Sequence, residues 1–235
     1  MSDSTDRPIP HEHELRVGRG VFLATVLGGV SSLWWGRRAW STVSHAIAPA
    51  ESLVPLVPNG GWRIYTVSGS LPGFDAATWQ LELGGAVKEP VSLDYRRLLA
   101  LPKVEQISTF HCVTGWTVRN VAWGGVRIHD VLAHVEAHPD AHALRFVSAE
   151  KPYDDYLTLE QASLPDVLLA YEMDGKPLSR AHGAPLRLVI PDMYGYKNVK
   201  WLRRIEVVPR AESGYWEQLG YDRDAWVGRS NGYSS

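Results

Sequence analysis

From Trp62 onward the chain is a succession of short apolar runs punctuated by Gly, Pro, Asn and Asp, with no regular alternation of strand and helix periods. Runs of this length, rich in Val, Ile, Tyr and Trp, predict strands at 63–67, 80–83, 104–110, 143–148, 168–173, 186–190 and 199–208. Asp174-Gly175, set between two such runs, is a hairpin-type turn signal. Helical pieces are few: 92–100, with Ser92 as the expected N-cap, and 126–137. Strands that outnumber helices without βαβ order point to an α+β fold with mixed, mostly antiparallel sheets. At 45% hydrophobic and 21% charged, 235 residues bury a core, which excludes disorder as the main state. Lys+Arg 24 against Asp+Glu 26 leaves no basic excess for a phosphate backbone, so no nucleic-acid partner is expected. The single cysteine, Cys112, excludes an internal disulfide, a CxxC zinc site and a thiolate-held iron–sulfur cluster. No GxGxxG, GxxxxGK[ST] or HExxH motif occurs.

The N-terminal quarter is organised differently. A polar tail (1–19) precedes an uncharged run (20–36), which Arg37 and Arg38 close. As a helix this run spans about 25 Å, slightly short for a bilayer core. Trp34, Trp35 and Trp40 beside the arginines resemble an interfacial belt, so 20–36 is expected to be a membrane anchor. A cleaved export signal and a packed helix are the alternatives; Arg19-Gly20 resembles a twin-arginine motif that has lost its second Arg. Residues 37–60 read as a linker, 61–210 as the catalytic domain and 211–235 as an aromatic tail expected to pack on the domain or near a membrane.

Cys112 ends an apolar strand and opens the loop Val113-Thr114-Gly115-Trp116, where a rigid scaffold can present a reactive group. A buried structural cysteine is the plain alternative. A second constellation runs from His182-Gly-Ala-Pro-Leu-Arg187 to Tyr194-Gly195-Tyr196-Lys197-Asn198-Val199-Lys200-Trp201. It joins an Arg fork, two Lys and a Gly-rich turn, the groups an anionic, phosphate-bearing organic cofactor needs. His134, His138 and His142 have helical ligand spacing, but Pro139 interrupts them and exposed side chains are expected. Asp154-Asp155 on an extended segment would point opposite ways and are not expected to act as a pair.

These segments resemble the sulfite-oxidase-type molybdopterin-binding domain. The match comprises Cys112, Trp123-x-Gly125-Val126-x-Ile128-x-Asp130-Val131-Leu132, His182-Gly183-x-Pro185-x-Arg187 and Tyr194-Gly195-x-Lys197-Asn198-Val199-Lys200-Trp201, in that order. The resemblance implies an oxidoreductase that uses a molybdenum–molybdopterin cofactor for oxygen-atom transfer on a small sulfoxide, N-oxide or sulfur oxyanion. It implies Cys112 as thiolate ligand to the metal, and Thr66, Val67, Ser68, Ser148, His182, Arg187, Asn198, Val199 and Lys200 as cofactor contacts. Two departures bear on substrate. Ser68-Gly69-Ser70-Leu71-Pro72 stands where sulfite-oxidising members carry an Arg-Asn-His-x-Pro-like stretch, which leaves Arg119 and Arg145 as candidates for the missing cation. Cys-Val-Thr-Gly-Trp is similar to the loop of the bacterial periplasmic methionine sulfoxide reductase catalytic subunit, but that relative's Asn-Asn-x-Tyr-Glu segment is absent. Without a haem segment, a separate haem protein or cytochrome is the expected redox partner. Residues 209–235 are too few for the dimerisation domain of eukaryotic sulfite oxidases, so a monomer is expected. With 20–36 as anchor, the domain is expected to lie outside the cytoplasm, the cytoplasmic face being the alternative. Three competing readings are a sulfite dehydrogenase-like enzyme and, without metal, a Cys112 nucleophile or a cofactor-free module on the same fold.

Overall fold

The computed structural model describes residues 58–59 and 61–229, so the expected tail (1–19), anchor (20–36) and nearly all of the linker (37–60) lie outside the described residues, as does Tyr233. Among the described residues no helix is long and apolar enough to cross a membrane. In chain order the strands are β1 (Pro58–Asn59), β2 (Trp62–Arg63), β3 (Gln80–Gly85), β4 (Val91–Asp94), β5 (Val104–His111), β6 (Thr117–Arg127), β7 (Ala143–Ser148), β8 (Asp154–Thr158), β9 (Leu168–Met173), β10 (Lys176–Pro177), β11 (Arg187–Val189) and β12 (Leu202–Val208). Among the described residues three short α-helices join them: α1 (Tyr95–Leu99), α2 (Ile128–Leu132) and α3 (Leu159–Ala162).

One five-stranded sheet has the order β4-β3-β12-β7-β8. Only its β3–β12 pair is parallel, with Arg204 opposite Glu82. The other follows β10-β9-β6-β5, with β11 also on β9. Asp174 (φ 53°) and Gly175 (φ 72°) make the tight β9–β10 turn that the sequence signals. β9 is buried on both faces. Its period of two sends Leu169 and Tyr171 into the larger apolar cluster, which draws on both sheets, and Leu168 and Ala170 into a smaller one with Trp62, Ile64 and Trp123.

Several expected elements change where long-range pairing overrides local preference. Residues 92–100 split: Ser92 pairs with Glu82 in β4, and Asp94, not Ser92, caps α1 by accepting the Arg97 N–H at 2.7 Å. The expected helix 126–137 shrinks to α2, because Thr117–Arg127 is drawn into a strand between β5 and β9. The expected strand 63–67 stops at Arg63, since the Val67 and Ser68 N–H groups donate to the Glu150 carboxylate instead of a ladder. Strand 199–208 starts only at Leu202, after Trp201 turns to φ 52°. The C-terminal segment packs on the domain as expected: Tyr215, Trp216, Tyr221 and Trp226 lie against the larger cluster.

Candidate active site

β5 and β6 meet in a closed turn that holds Cys112. His111 and Thr117 form the last registered pair; the Cys112 N–H donates to Trp116 O at 2.9 Å and the Gly115 N–H to Cys112 O at 3.0 Å. Gly115 takes φ +91°, a conformation that costs glycine little. The half-buried Cys112 therefore sits on a rigid strand end, facing a cleft of about 840 Å³ including its open mouth.

The opposite wall is basic and sunken. His182 ends a short 3-10 turn (Arg180–His182) closed by Gly183 at φ +104°. Arg187 opens β11, buried, its Nη1 donating to His182 O at 3.1 Å and its guanidinium stacked 5.1 Å from the Trp123 ring and 5.7 Å from Phe110. Lys200 is half-buried as a residue, but its ammonium is enclosed, donating to Tyr65 O at 2.6 Å. Burial, then Arg187, pushes the Lys200 ammonium down to about 7. Burial likewise brings Arg187 down to about 10 and, with Arg187 and Lys200 beside it, His182 to about 4. The imidazole is thus neutral, and its buried Nδ1 has no partner. One carboxylate, Glu150, shares this cleft, its Oε1 accepting from the Val67 N–H, the Ser68 N–H and the Ser68 hydroxyl.

Of the residues singled out in the sequence, Thr66, Val67, Cys112, His182, Arg187, Asn198 and Lys200 line one cleft. Three are not on its walls. Ser68 is tied to Glu150; Ser148 stands behind, its hydroxyl donating to Lys200 O at 2.8 Å and accepting the Glu150 N–H at 3.0 Å; Val199 is wholly buried in the larger core. Asn198 braces the cleft through its backbone partners: Oδ1 accepts the Ile190 N–H at 2.7 Å and Nδ2 donates to Tyr194 O at 3.3 Å. Lys197 is no free cation. Buried, it reaches Asp155 at 2.5 Å and Glu217 at 3.0 Å. Asp154 and Asp155 do diverge, Asp154 to Arg145 and Asp155 to Lys197. Arg145 is held by Asp154 and Glu206 and, like Arg119, is absent from the cleft, so neither supplies the missing cation there. His134, His138 and His142 are exposed, and no group of ligating side chains suited to a metal forms among the described residues.

Of the aromatics the sequence offers as pocket lining, Trp116 is on the cleft wall and Trp123 and Tyr194 are not; Glu150, Tyr153 and the neighbouring aromatics Trp62, Tyr65 and Phe110 were not legible in the sequence. Trp62, Phe110 and Trp116 touch one another, with Trp62–Phe110 at 4.8 Å and Phe110–Trp116 at 5.5 Å, and Tyr65 joins them through Trp116. Gly195 is obligatory beneath that wall: an added Cβ would stand 2.2 Å from the Phe110 ring. Glu150 left only a trace, a charge two residues after the 143–148 run.

Two sunken cations, Arg187 and Lys200, against one carboxylate make the cleft a receptor for anions, with a pH dependence of definite sign. An unfolded lysine titrates near 10.5 and the folded Lys200 near 7, so between these values the unfolded chain binds more protons. This group's contribution therefore improves as pH rises through that window, and its penalty is fully present below 7. An anion paired with Lys200 lifts the penalty. Pyrophosphate should raise the melting temperature of cofactor-free protein by about 2–4 °C more near pH 6 than near pH 9.5, read by thermal shift. Equal shifts at both pH values would show that Lys200 does not meet the anion.

Residues 68–216 match the family described as oxidoreductase molybdopterin binding domain. An uncharacterized oxidoreductase, YuiH, of Bacillus subtilis (strain 168) is 32% identical over 197 residues, 83% of this chain and 96% of that protein. Sulfite oxidase of Arabidopsis thaliana is 33% identical over 61% of this chain and 45% of its own length. The protein-methionine-sulfoxide reductase catalytic subunit MsrP of Gluconobacter oxydans (strain 621H) is 31% identical over 67% of this chain and 56% of its own. The chain thus spans about half the length of these last two relatives. Among solved structures, the sulfane dehydrogenase SoxCD from Paracoccus pantotrophus shares the fold, with a TM-score of 0.56 at 24% identity over 60% of this chain and 41% of that one.

Proposed function

The chain belongs to the oxidoreductase molybdopterin-binding domain family, an enzyme of sulfite-oxidase type with a molybdenum cofactor, and on that premise we propose that it removes oxygen from a small neutral sulfoxide or N-oxide. The cleft's own chemistry fits such a cofactor: a thiol on one wall for the metal, and on the other the unpartnered His182 Nδ1 with Arg187 and Lys200 for a phosphate-bearing pterin. Bound there, the group supplies two-electron oxygen-atom exchange.

The protein's share is binding and positioning. Cys112 would hold the metal as thiolate on its rigid turn. Arg187 and Lys200 would meet the phosphate, and the neutral His182 a ring or phosphate donor. Glu150 would hold the Thr66–Ser68 turn against the cofactor by its hydrogen bonds to Val67 and Ser68. Trp62, Tyr65, Phe110 and Trp116 would keep water from the reacting atoms.

The observation that carries the neutral substrate is the aromatic character of the walls beside Cys112, combined with Ser68-Gly69-Ser70 where sulfite-oxidising relatives place a cation. With Arg187 and Lys200 taken up by the cofactor's phosphate, the exposed Arg63 would be the one cation of the lining left for a dianion, which leaves a doubly charged substrate among these aromatic walls disfavoured. Deoxygenation consumes two electrons and two protons and releases water, so a separate haem protein or cytochrome would supply the electrons. Residues 20–36 would tether the enzyme to a membrane with the catalytic domain outside the cytoplasm.

The test uses full-length protein from a host that makes the cofactor. Turnover of a dialkyl sulfoxide or amine N-oxide with a reduced viologen dye is the expected result. Sulfite oxidation with a greater kcat/KM would overturn the substrate assignment.

A further inference from the structure

We infer that Thr114 is a positioning residue for the cysteine sulfur: its hydroxyl donates to Cys112 Sγ in the loaded enzyme and raises the potential of the metal centre. The inference rests on the reading of Cys112 as metal ligand. Thr114 Oγ1 lies 3.2 Å from Cys112 Sγ, within hydrogen-bond range for sulfur. In the free protein either atom can donate. A ligated thiolate has no proton, so the hydroxyl must then be the donor.

The turn makes this contact a built feature. Its ends are pinned by the His111–Thr117 pair and by the two backbone hydrogen bonds between Cys112 and residues 115–116. Gly115 at φ +91° reverses the chain directly after Thr114, with no atom within 4 Å of where its Cβ would stand. The reversal folds the threonine side chain back over the sulfur while both residues face the cleft. No other side-chain partner of Sγ occurs among the described residues.

A hydrogen bond to a coordinating sulfur withdraws charge from it and weakens its donation to the metal, which favours the reduced state. An enzyme that must accept electrons from a partner before deoxygenating its substrate gains from that bias.

The experiment compares wild type, Thr114→Val and Thr114→Ser as loaded full-length proteins with equal molybdenum and pterin content. Thr114→Val keeps the shape and deletes the donor; Thr114→Ser keeps the donor. Thr114→Val should lower the metal's midpoint potential and move the sulfur-to-metal charge-transfer band to longer wavelength, and Thr114→Ser should restore both. Unchanged potential and band in Thr114→Val, or failure of Thr114→Ser to restore them, would overturn the proposal. Cys112→Ser separates the two assignments: it must abolish the band, and a surviving band would show that Cys112 is not the ligand and remove the basis of the Thr114 proposal as well.

Discussion

Lys197→Met should destabilise the protein by about 3–5 kcal/mol, the cost of stripping a buried ion network of its counter-charge. Lys197 is the cation of a buried trio, with Asp155 Oδ1 at 2.5 Å and Glu217 Oε1 at 3.0 Å. The second oxygens of both acids, Asp155 Oδ2 and Glu217 Oε2, are buried without a partner. Burial already pushes the Asp155 carboxyl up to about 8 against the pull of Lys197. Deleting the ammonium leaves two carboxyl groups that can be buried only as neutral acids. Unfolded carboxylates ionise near 4, so the folded variant binds more protons than the unfolded chain at neutral pH and loses stability as pH rises. Urea unfolding near pH 5 and near pH 8 should show the larger loss at the higher pH. Adding Asp155→Asn and Glu217→Gln removes the stranded charges and should recover most of it. A loss below about 1 kcal/mol in the single variant, or no recovery in the triple one, would refute this account.

Cys112→Ser should leave the fold and pterin content intact and reduce turnover at least about 100-fold, more than follows the loss of an outer-shell partner. The substitution is nearly isosteric at a half-buried position whose hydrogen bonds to the turn are made by backbone, so folding has little reason to change. A serine hydroxyl, however, is a hard ligand with a far higher pKa than a thiol and does not offer thiolate donation. Initial rates with the reduced dye, metal analysis and circular dichroism together read the result. Turnover within threefold of wild type would remove Cys112 from the chemistry.

The parts of this fold legible in the sequence are those whose periodicity matches their final environment. Strands 143–148 and 168–173 emerge with their expected ends, because each is an apolar run bounded by turn residues. Thr117–Arg127 does not read as a strand: Arg119, Asn120 and the Gly124-Gly125 pair break its alternation, and only pairing on both sides explains it. The site follows the same rule. Cys112, His182, Arg187 and Lys200 sit in local motifs and line one cleft. Lys197 has the same local look as Lys200, yet one is neutralised by acids on β8 and near the C-terminus while the other faces the cleft. That difference depends on residues 42 and 20 positions away in the chain, a separation no local pattern encodes. Trp62, Tyr153 and Glu150 join the cleft in the same long-range way.

The two-faced burial of β9 also ties the site to the scaffold. Alternate residues of this one strand serve the larger core and the smaller aromatic cluster that backs the cleft. Gain or loss of a single residue between 168 and 173 would exchange the two sets and set Leu and Tyr where Leu and Ala now fit. The strand acts as a reading frame shared by stability and chemistry. Substitutions can accumulate along it, but insertions and deletions cannot, and the cofactor cleft could be transplanted to another protein only if β9 and both its faces moved with it.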